Sequence, residues 1–147
     1  RGSGDSKLDD DQDDSFRQTG LQNNRDRFNG VNRFRYYGDL LRPELSNLEI
    51  GSALSGFRFW SESSGELGYH WYRQVEAAPF LRETRINADP EGREESLGQE
   101  WDLIVGLEEW RHVDVELSGS LFRAGSAFGP LEGELAYQVL LEIDYNF

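Results

Sequence analysis

From Leu135 to Phe147 the chain alternates without a break. Leu135, Tyr137, Val139, Leu141, Ile143, Tyr145 and Phe147 share one parity, and Ala136, Gln138, Leu140, Glu142, Asp144 and Asn146 share the other. Successive side chains of a strand point to opposite faces, so this segment is expected to be a long strand with one apolar and one wet face. The same period recurs upstream. Val113, Val115, Leu117, Gly119 and Leu121 alternate with Asp114, Glu116, Ser118, Ser120 and Phe122. Leu97, Trp101, Leu103, Val105 and Leu107 alternate with Gly98, Glu100, Asp102, Ile104 and Gly106. Leu67, Tyr69, Trp71 and Val75 alternate with Gly68, His70, Tyr72 and Gln74. In Leu48 to Trp60 the apolar parity changes between Ile50 and Ala53, which predicts a bulge near Gly51 or Ser52. A sixth strand is expected within Phe28 to Leu40, where Val31, Arg33, Arg35 and Tyr37 oppose Asn32, Phe34 and Tyr36.

Each candidate strand has about ten residues, the length a tilted strand needs to cross a bilayer. The connections alternate in length: short at 61–65, long at 76–96 with Pro79 and Pro90, short at 108–112, medium at 123–132. Outer-membrane barrels show this asymmetry, with short periplasmic turns and longer external loops. A last strand ending in the periplasm puts both short turns on the periplasmic side. The expected fold class is therefore all-β, made of antiparallel transmembrane barrel strands. Residues 1–24 are polar, with a dense run at Asp9, Asp10, Asp11, Asp13 and Asp14. Like charges this close repel, so 1–24 is expected to be an acidic loop or disordered segment ahead of the strand-bearing 25–147. Its alternate aspartates suggest a calcium loop, but the required glycine and closing glutamate are missing, so no metal site is expected.

Length and charge narrow the picture. The 147 residues suit one domain. No window of about 18 apolar residues exists, which excludes a transmembrane helix but not a barrel, whose strands hide half their residues from lipid. Arg1-Gly2-Ser3-Gly4 has no apolar core, so these residues are not expected to be a signal peptide, and an exported protein would need a missing or processed N-terminal part. The chain has no cysteine, hence no disulfide and no thiolate metal site. Its net charge of -13 argues against nucleic acid and against charge-driven docking on anionic head groups.

The second parity is rich in acids: Glu100, Asp102, Asp114, Glu116, Glu142 and Asp144, with His70 and Gln74. A dry core would not take six carboxylates, since each unpaired buried charge costs several kcal/mol. That face is expected to be wet, as an aqueous lumen or as the solvent side of a sheet. Tyr69, Trp71, Trp101, Tyr137, Tyr145 and Phe147 gather near strand ends on the other parity, and Trp60 and Trp110 lie at the turns. Together they suit aromatic girdles at two membrane interfaces, or the core aromatics of a β-sandwich.

Several segments resemble the alginate export family. They are Phe16-Arg17-Gln18-Thr19-Gly20-Leu21, Arg35-Tyr36-Tyr37-Gly38-Asp39-Leu40, Pro43-Glu44-Leu45-Ser46-Asn47-Leu48, Ser96-Leu97-Gly98-Gln99-Glu100-Trp101-Asp102-Leu103 and Glu116-Leu117-Ser118-Gly119-Ser120-Leu121-Phe122-Arg123-Ala124-Gly125. The resemblance runs from about residue 16 onward and lies in the order and spacing of these segments. It implies a single-chain outer-membrane barrel of about 18 strands that exports an anionic exopolysaccharide, of which six strands would be the C-terminal third of a longer protein. It also implies a pore lined by arginines, whose guanidinium pairs bidentately with uronate carboxylates. Arg33, Arg35 and Arg58 are the candidate lumen cations, and Arg123 sits where a strand meets its loop. Asp114 and Glu116 depart from that pattern.

The leading expectation is a passive outer-membrane channel for a polyanionic exopolysaccharide such as alginate, acting through charge and size. Its substrate path would be lined by Arg33, Arg35, Arg58, His70, Glu100, Asp102, Asp114, Glu116, Glu142 and Asp144. Trp71, Trp101, Tyr137, Tyr145 and Phe147 would sit at the membrane interfaces. Loop 76–96, with Arg82, Arg85 and Arg93, would fold over the outer mouth or remain solvated. Expected partners are outer-membrane lipid and lipopolysaccharide, the polysaccharide, and the barrel-assembly machinery through the strand ending at Phe147; no cofactor is expected. A general or cation-selective porin, and a soluble β-domain stacking sugars on Trp60, Trp71, Trp101 and Trp110, are the alternatives. Catalysis is the weakest reading. Glu100 and Asp102 stand roughly 7 Å apart along a strand and suit paired acids loosely. His70 and His112 lack a recognisable serine or cysteine context.

Overall fold

In a computed structural model, residues 24–27 and 30–147 are described. Five long strands form one antiparallel meander: β3 (Leu48–Trp60), β4 (Ser63–Gln74), β5 (Ser96–Trp110), β6 (Val113–Ala124) and β7 (Leu135–Tyr145), following the two short strands β1 (Arg25–Asp26) and β2 (Phe34–Arg35). A 3-10 turn over Ser126–Leu131 precedes β7. β3 and β7 each keep one edge unpaired among the described residues. The all-β antiparallel class stands: the sheet is part of a barrel wall. The acidic run Asp9–Asp14 lies outside the described residues.

Away from the irregular pairings at Arg58/Trp60, Tyr72/Arg73 and Leu107/Trp110, the register keeps the strands in phase. One row runs Tyr69, Trp101, Leu121, Tyr137, and the next Leu67, Leu103, Gly119, Val139. Odd-numbered residues thus share one face, called outer here. Leu67, Leu103, Leu117, Leu121, Val139, Leu141 and Ile143 stand exposed on it. Even-numbered residues form the inner face, with one row running Ser52, His70, Glu100, Phe122, Ala136. Two-residue turns at 61–62 and 111–112 join the strands at one rim, and the longer connections 75–95 and 125–134 join them at the other. Strands run further into both short turns than the sequence suggests: Ser63–Gly65 and Glu108–Trp110 are paired strand residues or flank such pairs.

Two expectations are corrected. The predicted bulge near Gly51 is absent; pairing is continuous there, and the irregularity lies between Arg58 and Trp60. Leu48 and Ile50 are apolar on the inner parity because a small core covers that end of the sheet, not because the parity switches. The predicted strand within Phe28–Leu40 is also not a wall strand over its described residues, 30–40. Apart from the two-residue pairing of β1 and β2, residues 30–40 stay out of the five-stranded sheet and lie across its inner face. The alternation of this stretch was mixed because Val31, Asn32, Phe34, Leu40 and Leu41 all face the wall and are buried.

The core sits where residues 40–48 meet the long-loop rim. Leu40, Leu41, Leu48, Tyr72, Leu97, Phe122, Ala127 and Phe128 cluster there, backed by Leu81, Ile86 and Ala88 of the 75–95 connection. Full burial of a leucine such as Leu41 contributes about 1.5–3 kcal/mol, enough to hold an irregular segment against a strand surface. Backbone hydrogen bonds finish the attachment: Arg85 N–H donates to Leu41 O, Glu44 N–H to Arg82 O, and Glu91 N–H to Ala127 O. The 75–95 connection therefore folds back over the rim.

Candidate functional site: the lined inner face

Outside the irregular pairing at Leu107/Trp110, the inner face carries seven carboxylates, Glu66, Glu100, Asp102, Asp114, Glu116, Glu142 and Asp144, and one guanidinium, Arg58, on β3 to β7. Residues 30–47, called the liner here, run over part of it from near the short-turn rim to the long-loop rim. Asn32 lies over Gly106, Phe34 over Gly68, and Gly38 over Tyr72 and Glu100. The wall makes room with small residues. A Cβ at Gly68 would strike the Phe34 ring, and one at Gly106 would strike the Asn32 amide. Val31 N–H donates to Ser64 Oγ at 2.8 Å.

Glu100 anchors the liner. Its Oε1 accepts from Asp39 N–H at 2.7 Å and Leu40 N–H at 2.6 Å, and its Oε2 accepts from Leu41 N–H at 2.8 Å and Tyr72 O–H at 3.1 Å. Three successive backbone N–H groups converging on one anion form a nest. The nest is built at Gly38, whose φ of 85° L side chains rarely adopt and whose missing Cβ leaves space for Tyr72 and Glu100. Hydrogen bonds to an ionised acceptor are about twice as strong as neutral ones, so a carboxylate with no solvent exposure is accommodated without a cation.

Asp102 and His70 lie beside it. His70 Nε2 is 3.3 Å from Asp102 Oδ2, off the direction of a proper hydrogen bond, and Ser52 Oγ is 2.8 Å from His70 Nδ1. Serine, histidine and aspartate in series are the components of a hydrolytic triad. Here, however, the imidazole is wholly buried, with the Phe34 and Tyr72 rings stacked near it at 6.0 and 6.1 Å. It has no surface from which to hand a proton to a leaving group. The series instead ties β3, β4 and β5 together.

The sequence-derived site residues thus separate into groups. His70, Glu100 and Asp102, expected to be wet, are sealed beneath the liner. The reason is the nest, which lets a carboxylate be buried without a counterion. Arg33 and Arg35 lie on the liner, not on a wall strand: Arg33 is exposed, and Arg35 pairs with Asp39 at 2.8 Å. Burial, then Arg42, lowers the Arg35 pKa against the pull of Asp39, but a guanidinium stays charged in proteins regardless. Arg58 is on the inner face of β3 near the short-turn rim. Asp114 and Glu116 lie opposite Asp144 and Glu142 in the ladder. Asn146 donates to Asp114 at 3.1 Å, and Arg25 reaches Glu116 at 3.6 Å. Among the described residues no cluster of metal-ligating side chains occurs.

Trp71, Trp101, Tyr137, Tyr145 and Phe147 all have outer parity. Tyr69 and Trp101 pack at 5.5 Å toward the long-loop rim, while Phe59 and Trp60 at 5.2 Å, and Tyr145 and Phe147 at 5.2 Å, mark the short-turn rim. Eight residues separate Tyr137 from Tyr145, roughly 26 Å along a strand, or about 20 Å after a tilt near 40°. No helix among the described residues is long and apolar enough to cross a membrane, which says nothing about strands. Sequence reasoning missed Glu66, Tyr72 and Ser52, since each acquires its partner only through register or the liner. One signal was present: Ser64, Gly68, Gly106, Ser118 and Ser120 are small residues on a polar face, which leaves space above them.

A profile described as Alginate export matches residues 1–140. The chain belongs to the alginate export family. It is 30% identical over 162 aligned residues to "Alginate production protein AlgE" of Pseudomonas aeruginosa, covering 100% of this chain and 32% of that protein. The protein of the same name from Azotobacter vinelandii is 34% identical over 104 residues, 65% of this chain and 22% of the relative. That from Pseudomonas syringae pv. tomato is 31% identical over 103 residues, 60% of this chain and 21% of the relative. This member of the family therefore spans about a third of the length of the first of these relatives.

Proposed function

We propose that this chain forms part of the wall of an outer-membrane channel through which a polyanionic exopolysaccharide of the alginate type leaves the cell. The observation that carries this reading is a single sheet with an apolar outer face bounded by two aromatic zones and a charged inner face. Such a wall meets lipid on one side and water on the other. Trp71, Trp101, Tyr137, Tyr145 and Phe147 serve as interface aromatics, and lipid with lipopolysaccharide contacts the outer face. Transport is passive: the channel selects by charge and width and makes no bond. The wet path is formed by Arg33, Arg58, Asp114, Glu116, Glu142 and Asp144.

The excess of carboxylates on the strands favours a second reading, a cation-selective porin. The two are separated by the reversal potential of the full-length protein in a planar bilayer under a salt gradient. Anion selectivity with block by polyuronate supports the first reading; cation selectivity without block supports the second. The lipid-facing wall has its own test. Val139→Lys should lower stability in bilayers by about 2–4 kcal/mol, the cost of a cation near the midplane. A change within a few tenths in lipid-based unfolding would contradict a lipid-facing β7.

A further inference from the structure

We propose that the lipid-facing side of the long-loop rim binds the phosphate groups of an outer-leaflet glycolipid, with Arg123 and Arg73 supplying the cations. This gives the lipopolysaccharide contact a site, and it rests on the channel reading above with the long-loop rim outside the cell.

Strands β3 to β7 contain the arginines Arg58, Arg73 and Arg123 and no lysine. Arg58 is on the inner face. The other two are on the outer face, and both lie at the long-loop rim. Arg123 shares a row with Trp71, Gln99 and Leu135, and Arg73 lies one row further out, opposite Glu49. The next row inward holds Tyr69, Trp101 and Tyr137. Beyond it the outer face is apolar as far as Phe57, Phe59 and Tyr145 at the short-turn rim. On the strands, arginine therefore marks one membrane interface only. A long cationic side chain just beyond an aromatic row lays its stem on apolar surface and its head among lipid headgroups.

The surroundings of the two arginines point to a tethered phosphate. Arg123 is exposed, and its Nη2 lies 3.9 Å from where a Cβ on Gly133 would stand, so the guanidinium is turned toward the 125–134 connection and away from the apolar band. Arg73 is held by Glu95, which accepts from Nε and Nη2 and leaves Nη1 for a ligand. Beside it lies an open recess of about 350 Å³, lined by Arg73, Arg93, Glu94, Glu95 and Ser96. Arg93 has only a long contact to Glu91, at 3.9 Å. Two strand spacings and one row separate Arg73 from Arg123, about 12 Å between Cα atoms. Guanidinium pairs bidentately with phosphate, and a disaccharide headgroup with a phosphate at each end can reach both. The acids matter as well. Glu49, Glu94 and Glu95 flank Arg73 and the chain carries a net charge of -13, so free phosphate is not concentrated here. A lipid is, because its acyl chains lie on Leu103, Leu121 and Val139 and make the phosphate contact intramolecular.

The test uses the full-length protein in neutral detergent, stripped of bound lipopolysaccharide. Diphosphorylated lipid A is titrated in, and the bound lipid is counted by native mass spectrometry. Hydrogen bonds to a charged group are each worth about tenfold or more in affinity. Lipid A should therefore bind, and the same lipid without its phosphates should bind at least about tenfold more weakly. Arg73→Gln with Arg123→Gln should weaken binding of the phosphorylated lipid to a similar extent, and Arg73→Lys with Arg123→Lys should recover part of it. Arg111→Gln, in a turn at the opposite rim, should change nothing. An unfolding midpoint unaltered in the absence of lipid shows that the variants fold. Equal affinity of the double glutamine variant, equal affinity for the dephosphorylated lipid, or displacement by millimolar inorganic phosphate would each overturn the inference. So would tighter binding of phosphatidylglycerol than of lipid A, which would put this rim at the inner leaflet. The readout needs no conduction. Lipid A held through the two arginines by a protein that passes no current would count against the channel reading alone. A conducting protein whose lipid A binding ignores both arginines would count against this site alone.

Discussion

The inner faces of β4 and β5 and the inner face of β7 follow the same polar alternation and end in opposite surroundings. His70, Tyr72, Gln74, Glu100 and Asp102 are buried, whereas Leu140, Glu142 and Asp144 are exposed. The difference does not lie in the strands. It lies in what covers them: the liner over His70, Tyr72, Glu100 and Asp102, and the 75–95 connection at Gln74, where the side chain bonds Ala78 and Phe80, with neither reaching the second set. A polar strand face is therefore not always a wet one. Where a loop supplies backbone N–H groups in the right geometry, a carboxylate becomes a structural anchor. Where none does, it remains a surface charge that can act on a solute.

Removing the anchor should have the largest effect on this contrast. Glu100→Ala leaves three backbone N–H groups without their acceptor, and an unsatisfied buried group costs about 1–3 kcal/mol. The expected loss is about 3–5 kcal/mol of liner attachment, seen as new trypsin cleavage at Arg33 and Arg35 while the strands stay protected. Unchanged cleavage would mean that the apolar contacts of Leu40 and Leu41 hold the liner alone. Wedging it away is the next step. Gly68→Val places a side chain into the Phe34 ring and should cost about 1–3 kcal/mol by overpacking, detected as a lower unfolding midpoint in detergent. The equivalent change at Gly119 on the outer face meets little and serves as the control.

The smallest effect should come from the uncovered side, and with the opposite sign. Glu116 and Glu142 are directly opposed, and like charges so placed destabilise a ladder. Glu142→Gln should raise stability by about 0.5 kcal/mol at low salt, with the gain fading as salt screens the pair. A loss in the unfolding midpoint would show that Glu142 engages a cation and belongs with the anchored carboxylates.

Much of the wall was legible from residue order. The period-2 pattern assigned all five long strands and the faces of Glu100, Asp102, Asp114, Glu116, Glu142 and Asp144, because a one-residue slip would send every apolar side chain to the wrong side. The connections expected at 61–65, 76–96, 108–112 and 123–132 are found in the same order and with the same alternation of length, at 61–62, 75–95, 111–112 and 125–134. The strand expected within Phe28–Leu40 is reduced, among residues 30–40, to Phe34–Arg35. Aromatic and β-branched residues favour strands, yet here Val31 and Phe34 pack onto another sheet instead of entering it. Ser52 gave no sign of its place beside His70, since that neighbour is 18 residues away and is supplied by register.

Residue order alone is enough for the all-β class, the strand faces and the family. These rest on local alternation and on an ordered set of short segments, which need no knowledge of distant contacts. Which carboxylates meet water follows instead from long-range contacts. That outcome depends on three backbone N–H groups at Asp39, Leu40 and Leu41 meeting one side chain about 60 residues away. Backbone donors are the same in every non-proline residue, so their convergence leaves no mark in the sequence.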